Sequence, residues 1–554
     1  MKIFLGTNFG HAASTAIIDA DGALLYAIEE GRIVGQKEYS GFPNMALSLI
    51  SYHFGPQVAC WHEGWHRSRR LLFKGLGASA RYAWRDQTYL KERLVRELRR
   101  SALGRSSYRR WMKCFGRVRF VGHHEAHALS LLPWGLPEDS VVVVSDYIGE
   151  RWSLSCFHWS RLGMRCLGRV PFPHSLGAAY QQLATHLGFF GNTGPGKVMA
   201  LAAHGEPRWA RLLHDLVRLQ GTSLRIDQRR FPLWLRRRAW AELGMRVGGE
   251  VLEEIRAAKG DWEQGRDLAA SAQEWLTETT WRYIGACVRQ ARTLLSTKVS
   301  ALGLAGGCAL NCQANGEFVR RLGELGIDRV VVSPWSDDSG TAIGAAAHGA
   351  LSQTGGIKFR VASAFVGPEV CNGSLTISTE ALGAAVRALA EGGVVALGTG
   401  RLEFGPRALG GRCLLADPRR AEMRKRLNAI KGRPGFMPFA PAVLAECYAR
   451  YFVGEGSTNM AWTVRIRPEV RAAFPGLDHA SGQARVQVVS SEGPTVLRRL
   501  LCEWERQSGT GMLLLTSLNG SGEAIPDTAE RCANVASRLG VSGLLLDQGW
   551  QAFS

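Results

Sequence analysis

The sequence predicts an α/β protein with more than one domain, the first of which contains a duplicated unit. The chain has 554 residues, which is too long for one ordinary hydrophobic core. Two stretches far apart in the chain show the same succession of three short apolar segments separated by turn residues. Hydrophobic residues make up 46% of the chain and charged residues 21%, which is typical of globular proteins.

The first of these stretches covers residues 2 to 30. KIFLGTN precedes a tight turn, STAIIDADG ends at the hairpin signal Asp21-Gly22, and ALLYAIEE returns. VVVVSDY, WSLSCFHW and MRCLGRVPF repeat the arrangement later in the chain. Because each stretch is followed by helical sequence, the pair predicts a duplicated α/β domain of the actin-like (ASKHA) type, in which a nucleotide lies between the two halves.

A second domain is predicted to begin after residue 357. Residues 351–375 contain glycine and serine and have no clear helical period, which indicates a boundary near residue 360. VRALAEGGVVALGTG then has the pattern of a helix, a turn and a buried strand. We therefore expect an N-terminal domain at 1–357 and a C-terminal mixed α/β domain at 358–554.

The net charge of +20 is concentrated in an arginine-rich segment within residues 60–119. A solvated helical excursion is the simpler interpretation of such a segment. The alternative is a surface for nucleic acid or an acidic partner, since tyrosine and tryptophan residues lie among the arginines. No nucleic-acid-binding module is recognisable, so we do not favour a nucleic-acid partner.

The sequence also predicts a cytoplasmic protein without a membrane partner. No apolar run approaches the roughly 20 residues of a membrane-spanning helix. Thr7 and Asn8 interrupt the N-terminal apolar stretch, unlike a signal peptide. The 12 cysteines form no CxxC pair, which favours free thiols in a reducing compartment.

Two histidines in GHHEAHA are candidate metal ligands. His123 and His127 are four residues apart, so on a helix both rings project from one face. The HExxH motif is absent, because Ala128 stands four residues after His124. Structural histidines are the alternative to ligands, and Asp146, after VVVVS, and Asp338, in SDDSGTAIGAA, are carboxylates that could complete a metal site. The alternative for each aspartate is a turn or cap residue.

A glycine-rich stretch, GNTGPGKVMALAAHG, resembles part of a phosphate-binding loop. Val198 stands where a P-loop requires serine or threonine, and no clear strand precedes the stretch, so we reject a P-loop NTPase. A turn that presents backbone N–H groups and Lys197 to a phosphate remains the interpretation.

A second glycine-rich stretch, LGLAGGCALNCQAN, is predicted to be a strand, a double glycine and a helix. Gly306 and Gly307 allow a nucleotide to approach the backbone closely, and Asn311 and Asn315 would share a helix face and bond the ribose or base. Ordinary tight packing is the alternative reason for the two glycines.

The C-terminal part contains cationic and polar side chains in loops of the kind that clamp small oxyanions. Exposure to solvent is the alternative for any one of them taken alone. The candidates are Arg407 and Arg412 in GPRALGGR, Lys431 and Arg433 in KGRPGFMPFAP, Arg485 in ARVQVV, and Ser517 and Asn519 in LLLTSLNGSGEAI.

Taken together and in this order, the motifs resemble the O-carbamoyltransferases of antibiotic and nodulation-factor pathways. The resemblance covers essentially the whole chain. It implies an actin-like domain similar to the threonylcarbamoyl-tRNA transferase, fused to a domain similar to YrdC. The matching stretches are GTNFGHAASTAII, AIEEGR, HHEAHA, SDYIGE, GPGKVMALAAHG, AGGCALNCQAN, SDDSGTAIGAA, GRLEFGPRALGGRCLLADP, PFAP and TSLNGSGEAI.

The resemblance implies a three-step reaction that needs ATP with Mg, carbamoyl phosphate and a small-molecule alcohol acceptor. Carbamoyl phosphate is cleaved to carbamate, carbamate and ATP give carbamoyl adenylate, and the carbamoyl group passes to a hydroxyl. It also implies one divalent metal, with iron favoured and zinc and manganese as alternatives; a homodimer stays open. The implied roles are His11 and Lys431 in catalysis; Arg407, Arg412, Lys431, Arg433, Arg485, Ser517 and Asn519 on carbamoyl phosphate; Lys197, Gly306, Gly307 and Asn311 on the nucleotide; and His123, His127, Asp146 and Asp338 on the metal.

The chain departs from the family pattern at three places. Ala12 stands where the family usually has aspartate, Tyr147 stands where it has glycine, and Met437 stands where it has arginine. Losing one arginine from an oxyanion clamp costs about 2–5 kcal/mol unless another group replaces it. Either Arg433 compensates or carbamoyl phosphate binding is weak. A tRNA acceptor and a catalytically weakened nucleotide-binding homologue therefore stay as alternatives.

Overall fold

The computed structural model describes residues 2–64, 107, 109–227, 262–296, 298–370 and 377–553. Most of the arginine-rich segment lies outside these residues, so its helical character stays a prediction. Within the described ranges, no helix combines the length and the apolar character that a membrane crossing requires.

The first sheet has the strand order β3-β2-β1-β4-β5. Its strands are β1 (Ile3–Asn8), β2 (Ser14–Asp19), β3 (Leu24–Glu29), β4 (Val58–Glu63) and β5 (Val118–Phe120). The first three strands are antiparallel neighbours, which confirms the prediction for residues 2–30. The strands β4 and β5 run parallel to β1.

The second sheet repeats this arrangement, with the order β12-β11-β6-β7-β8. Along the chain come β6 (Ser140–Gly149), β7 (Trp152–Ser160), β8 (Gly163–Pro171), a separate hairpin of β9 (Val217–Gln220) and β10 (Ser223–Ile226), then β11 (Ala301–Ala305) and β12 (Val330–Val332). The strands β6, β7 and β8 are antiparallel, whereas β11 and β12 run parallel to β6. The two sheets therefore share the same strand order and the same strand directions, as expected for the duplication that the sequence predicts.

Nine helices accompany these sheets in the described residues. They are α1 (Glu30–Val34), α2 (Asn44–Phe54), α3 (His123–Leu129), α4 (Leu176–His186), α5 (Gly194–Ala202), α6 (Ala210–His214), α7 (Trp262–Leu295), α8 (Cys312–Arg321) and α9 (Thr341–Thr354). Helix α9 packs closely because its residues are small. A Cβ on Gly344 would lie 1.7 Å from the carbonyl oxygen of Ala126 in α3, and a Cβ on Gly6 in β1 would lie 1.9 Å from that of Ala342. The N-terminal end of α9 is thereby fixed against α3.

The C-terminal part forms a seven-stranded mixed sheet with the order β19-β15-β20-β14-β13-β21-β22 and a three-stranded sheet with the order β16-β17-β18. The strands are β13 (Val395–Gly398), β14 (Arg412–Ala416), β15 (Ala440–Leu444), β16 (Phe452–Val453), β17 (Thr463–Ile466), β18 (Gln483–Arg485), β19 (Gln487–Val489), β20 (Met512–Ser517), β21 (Gly543–Leu546) and β22 (Gly549–Ala552). The helices are α10 (Thr379–Ala390), α11 (Met423–Ile430), α12 (Tyr448–Tyr451), α13 (Pro468–Ala473), α14 (Thr495–Ser508) and α15 (Ala529–Arg538). The predicted helix and buried strand in VRALAEGGVVALGTG correspond to α10 and β13.

Hydrogen bonds join the C-terminal part to the rest of the molecule. Asn459 donates to the carbonyl of Val332 at 2.9 Å, and Asn315 donates to that of Ala461 at 2.8 Å. The buried guanidinium of Arg32 donates to the carbonyl of Gly405. Gly405 is therefore held against α1 of the N-terminal part.

Candidate active site

The four predicted metal ligands converge from three elements. His123 and His127 lie one turn apart on α3, Asp146 lies near the end of β6, and Asp338 lies in a 3-10 turn, Asp338–Gly340, that leads into α9. One ligand atom from each residue lies within 4.8 Å of all the others. We call these four residues the metal cluster.

Nitrogen and oxygen atoms face each other closely within the metal cluster. The Nε2 atoms of His123 and His127 are 3.2 Å apart, and each lies 3.5 Å from Oδ1 of Asp338. His123 Nε2 is 3.1 Å from Oδ2 of Asp146. Both histidines are buried, at 1% and 0% exposure. Two ring nitrogens in this contact need a shared proton or cation between them.

The charges of the metal cluster fit a divalent cation. Burial lowers the pKa of His123, but its hydrogen bonds with Asp146 and Asp338 outweigh burial and raise the pKa to about 10. Burial and the charge of Asp146 raise the pKa of Asp338, but hydrogen bonds with the two histidines lower it to about 2. A bound cation would displace the imidazole protons, and two neutral imidazoles with two carboxylates then present two negative charges to it. This donor set suits iron, zinc or manganese.

Glycines pack against the metal cluster. Gly306 has a φ of +86°, and a Cβ there would lie 2.4 Å from the carbonyl oxygen of Ser145. A Cβ on Gly307 would lie 3.2 Å from Oδ1 of Asp146, and one on Gly149 would lie 2.5 Å from Cδ2 of His123. The structure thus places Gly306 and Gly307 beside the metal cluster and gives both a packing role. Their contact with a nucleotide stays a prediction.

Each of the other two predicted nucleotide ligands contacts groups of the protein itself. Asn311 caps α8 by accepting from the N–H of Ala314 at 3.0 Å, and its amide pairs with that of Gln273. The predicted helix face shared with Asn315 is therefore not formed as expected, because Asn311 precedes the helix. Lys197 lies in the first turn of α5, with its ammonium 5.8 Å from the ring centre of Phe189.

His11 lies on an exposed turn between β1 and β2. Its Nε2 is 3.1 Å from the amide nitrogen of Asn192, which also donates to Glu38 at 3.0 Å. Asp337 is its acidic neighbour. Burial and the charge of Glu29 raise the pKa of Asp337 to about 7, and His11 acts in the opposite direction. Sequence reasoning missed Asp337, although its position next to Asp338 was the available signal.

Lys431, Ser517 and Asn519 form one hydrogen-bonded group. The Nζ of Lys431 lies 2.6 Å from the carbonyl oxygen of Ser517 and 3.2 Å from its Oγ. It also contacts the carbonyl and side-chain oxygens of Asn519. Burial lowers the pKa of Lys431 to about 7, and the nearby charges of Arg433 and Lys37 act in the same direction.

Three arginines lie together beside this lysine. Burial lowers the pKa of Arg407 to about 9, with Arg485 and Arg433 contributing, and burial and Arg485 lower that of Arg433 to about 10. Nε and Nη2 of Arg433 and Nε of Arg485 are buried without a hydrogen-bond partner among the described residues. Buried guanidinium groups whose N–H donors lack partners favour an anion site. We call Arg407, Arg433, Arg485 and Lys431 the cationic cluster.

The position of Arg433 bears on the departure at Met437. The Arg433 guanidinium lies 4.6 Å from the ring centre of Phe439, two residues beyond Met437, and within the influence of Arg485. The structure thus places Arg433 with the other arginines. This geometry favours compensation by Arg433 over a weakened site.

Arg412 lies beside the strand that carries Ser517, since its carbonyl accepts from the N–H of Leu518 at 3.0 Å, and its contact with an anion stays a prediction. Its guanidinium is fully buried and donates to the carbonyl oxygens of Thr399 at 2.6 Å, Gly400 at 3.0 Å and Gly411 at 3.1 Å. The buried carboxylate of Glu403 accepts from the backbone N–H of Arg412 at 3.1 Å. Arg412 and Glu403 therefore brace the loop that carries Arg407. Nothing in the sequence pattern distinguished this role.

The two clusters lie close together, where the N-terminal and C-terminal parts meet. Arg407 of the cationic cluster has a nitrogen 3.4 Å from the carbonyl of Leu310, and Asp337, next to Asp338, is one of its charged neighbours. A cation site beside a buried anion site is typical of an enzyme that handles phosphorylated substrates.

The chain belongs to the carbamoyltransferase family. Residues 85–347 match the family model described as carbamoyltransferase N-terminus, and residues 386–551 match carbamoyltransferase C-terminus. Together the matches cover more than half of the chain. The protein is thus a transferase, as the resemblance implied.

Related proteins agree with this assignment. An uncharacterized protein of Synechocystis sp. is 30% identical over 96% of this chain and 94% of its own length. Nodulation protein NolO of Bradyrhizobium diazoefficiens is 30% identical over 77% of this chain and 78% of its own. The 3'-hydroxymethylcephem-O-carbamoyltransferase of Amycolatopsis lactamdurans is 34% identical over 45% of this chain and 48% of its own.

Proposed function

We propose that the protein is an ATP-dependent O-carbamoyltransferase that acts on a hydroxyl of a small molecule. The observation that carries the proposal is the pairing of the metal cluster with the cationic cluster in a chain of this family. The repeated strand order supports an actin-like (ASKHA) domain at 1–357, and the mixed sheet supports a YrdC-like domain at 358–554.

The first step takes place at the cationic cluster. Arg407, Arg433 and Arg485 bind the phosphate of carbamoyl phosphate, and Lys431, Ser517 and Asn519 orient the carbamoyl end. Water adds to the carbonyl carbon, the bond from that carbon to the phosphate oxygen breaks, and carbamate and phosphate result. Guanidinium groups suit this task because their planar forks match phosphate oxygens.

The second step joins carbamate to the nucleotide. A carbamate oxygen forms a bond to the α-phosphorus of ATP, with its Mg, while the bond to the bridging oxygen of the β-phosphate breaks. Carbamoyl adenylate and pyrophosphate result. Lys197 is the proposed phosphate contact, and Gly306 and Gly307 let the nucleotide lie near the metal cluster. Asn311 contributes by fixing the start of α8.

The third step transfers the carbamoyl group. The acceptor oxygen bonds to the carbonyl carbon, AMP leaves with the electron pair of the broken bond, and His11 takes the proton of the hydroxyl. A neutral imidazole is well matched to this task near pH 7. His123, His127, Asp146 and Asp338 would hold a divalent metal, which supplies Lewis-acid polarisation of the carbamoyl carbonyl.

The acceptor is proposed to be a small-molecule alcohol. The relative from Amycolatopsis lactamdurans is named for a hydroxymethyl group on a cephem, which is an acceptor of this chemical class. Natural products with free hydroxyls are therefore the first compounds to supply.

The test measures AMP and pyrophosphate in mixtures of protein, ATP, Mg and carbamoyl phosphate with a panel of hydroxyl-bearing natural products. We expect AMP to form only when all components are present, together with a carbamate ester detected by mass spectrometry. Pyrophosphate that forms without carbamoyl phosphate, or no AMP with any acceptor despite an intact metal cluster, contradicts the proposal.

A further inference from the structure

The loop that follows α11 carries two members of the cationic cluster and one aromatic side chain that points elsewhere. Lys431 and Arg433 lie at the start of the loop, and Phe439 lies at its end under the Arg433 guanidinium. Gly432 has a φ of +56°, and no atom lies within 4 Å of a Cβ built on Gly435. Gly432 permits the left-handed turn by which the chain leaves α11, and the side-chain amide of Asn428 donates to the carbonyl of Met437 at 3.0 Å, which holds the loop in this conformation.

Phe436, in the middle of this loop, contacts three rings of the N-terminal part. Its ring centre is 5.7 Å from that of Trp262, 6.1 Å from that of Phe189 and 6.5 Å from that of His204. Centroid distances of this size are those of interacting aromatic pairs. Phe189 precedes α5, His204 follows it, and Trp262 begins α7. We call these four rings the aromatic latch.

The aromatic latch connects the loop to Lys197. The Lys197 ammonium lies 5.8 Å from the ring centre of Phe189, within the range of a cation–π interaction. This set of rings, half-buried except for the exposed Trp262, thus touches the loop of the cationic cluster on one side and the proposed nucleotide contact on the other. Lys431 itself is anchored independently, by Ser517 and Asn519.

We propose that Phe436 is a positioning residue that retains carbamate between the two sites. The proposal rests on the proposed function. When the Phe436 ring contacts the other three rings, loop 431–439 is closed against the N-terminal part. These apolar rings then exclude water from the space between the two parts. With Phe436 removed, cleavage of carbamoyl phosphate continues, but carbamate escapes. In water it takes up a proton, its carbon–nitrogen bond breaks, and carbon dioxide and ammonia result.

The experiment compares phosphate with pyrophosphate in Phe436→Ala, using the full chain with ATP, Mg, carbamoyl phosphate and an accepted alcohol. We expect the wild type to release both in equal amounts. The variant should release several-fold more phosphate than pyrophosphate, with the excess matched by carbon dioxide. A merely structural defect lowers both products together, so the ratio reports the positioning role.

The control is Phe474→Ala. Phe474 is also half-buried and packs edge-on against another ring, that of Tyr451 at 5.5 Å, but it lies outside loop 431–439. Its ratio should equal that of the wild type. Phe189→Ala removes the other side of the latch and should raise the ratio as Phe436→Ala does. The double variant should resemble Phe436→Ala, because that change alone already breaks the contact between these two rings.

Equal amounts of phosphate and pyrophosphate in Phe436→Ala overturn the inference. If Phe436→Ala does not fold, the ratio of phosphate to pyrophosphate is measured in Phe189→Ala instead, and equal amounts in that variant also overturn the inference. A wild type that releases neither product contradicts the proposed function instead. If the wild type and both variants all release phosphate and pyrophosphate in equal amounts, only the role of Phe436 is contradicted, and the proposed function stands.

Discussion

The metal cluster and the cationic cluster are both buried, but their charges are arranged in opposite ways. The metal cluster alternates acids and bases, so its four side chains hold one another at 3.1 to 3.7 Å. The cationic cluster consists of like charges, and within the described residues none of its arginines forms an ion pair. Like charges cannot position one another by attraction. The cationic cluster is therefore held from outside.

The outside supports of the cationic cluster can be named. Ser517 and Asn519 hold Lys431, the ring of Phe439 lies under Arg433, and the Glu403 carboxylate fixes the loop that carries Arg407. Loss of a support should disturb anion binding, whereas loss of a ligand should empty the metal cluster. The two sites should consequently respond to mutation independently.

The largest effect is expected at the metal cluster. His127→Ala removes one of four ligands and leaves two carboxylates close together. Mutation of residues that only orient a metal ligand typically lowers metal affinity by about 10–100-fold, and loss of a ligand itself should lower it further. Elemental analysis of protein purified without chelator should show about one metal per wild-type chain and a marked loss in the variant. His124→Gln is the control, because His124 bonds Ser155 instead. Full metal content in His127→Ala would show that the assigned site is wrong.

The next effect is expected at Lys431. Lys431→Ala leaves the buried oxygens of Ser517 and Asn519 without their cation, at a cost of about 2–5 kcal/mol in carbamoyl phosphate binding. Phosphate release from carbamoyl phosphate should be abolished while metal content stays at the wild-type level. Lys425→Ala, which changes an exposed lysine of α11, should leave both unchanged. Loss of metal in Lys431→Ala would show that the two clusters are not independent.

A smaller effect is expected from the arginines around Met437. Because Arg433 lies in the cationic cluster, Arg433→Ala should raise the KM for carbamoyl phosphate by roughly tenfold or more. Met437→Arg should raise KM as well, since it adds a like charge beside four cations. The measurement is KM in both variants. A lower KM in Met437→Arg would mean that a cation is missing there, and unchanged values in both would remove this loop from the anion site.

The smallest effect is expected from pH. Lys431 has a pKa of about 7, lowered chiefly by burial, so it loses its charge as the pH rises through this value. The KM for carbamoyl phosphate should therefore increase above pH 7, by at most about tenfold for each pH unit. Between this pKa and that of the unfolded chain, the unfolded state binds more protons, so the contribution of Lys431 to stability rises with pH. A KM that stays flat from pH 6 to 9 contradicts a role for the Lys431 charge.

The sequence predicted those features that depend on residues close together in the chain. The meander β1–β3 and its repeat β6–β8 follow from alternation and turn residues, and the spacing of His123 and His127 follows from the helical period. The sequence offered Asp338 as a candidate carboxylate, but its pairing with these histidines depends on the packing of α9, which no local pattern encodes.

Other features depend on contacts between distant segments, which no local pattern encodes. The bracing of carbonyls by Arg412, the amide pair of Asn311 and Gln273, and the contact of Phe436 with three rings are of this kind. No local pattern distinguishes a buried arginine that bonds carbonyls from one that also binds phosphate, so the contact of Arg412 with an anion stays a prediction.

The division of labour between the two clusters is tested most directly by carbamoyl-phosphate-dependent exchange of labelled pyrophosphate into ATP, measured without an acceptor. This exchange reports carbamoyl adenylate formation and omits the transfer step. Exchange should be lost in Lys431→Ala and Ser517→Ala and retained in His11→Ala, which should then transfer the carbamoyl group poorly when the acceptor is added. Equal loss of exchange in all three variants would contradict the assignment of separate steps to the two clusters.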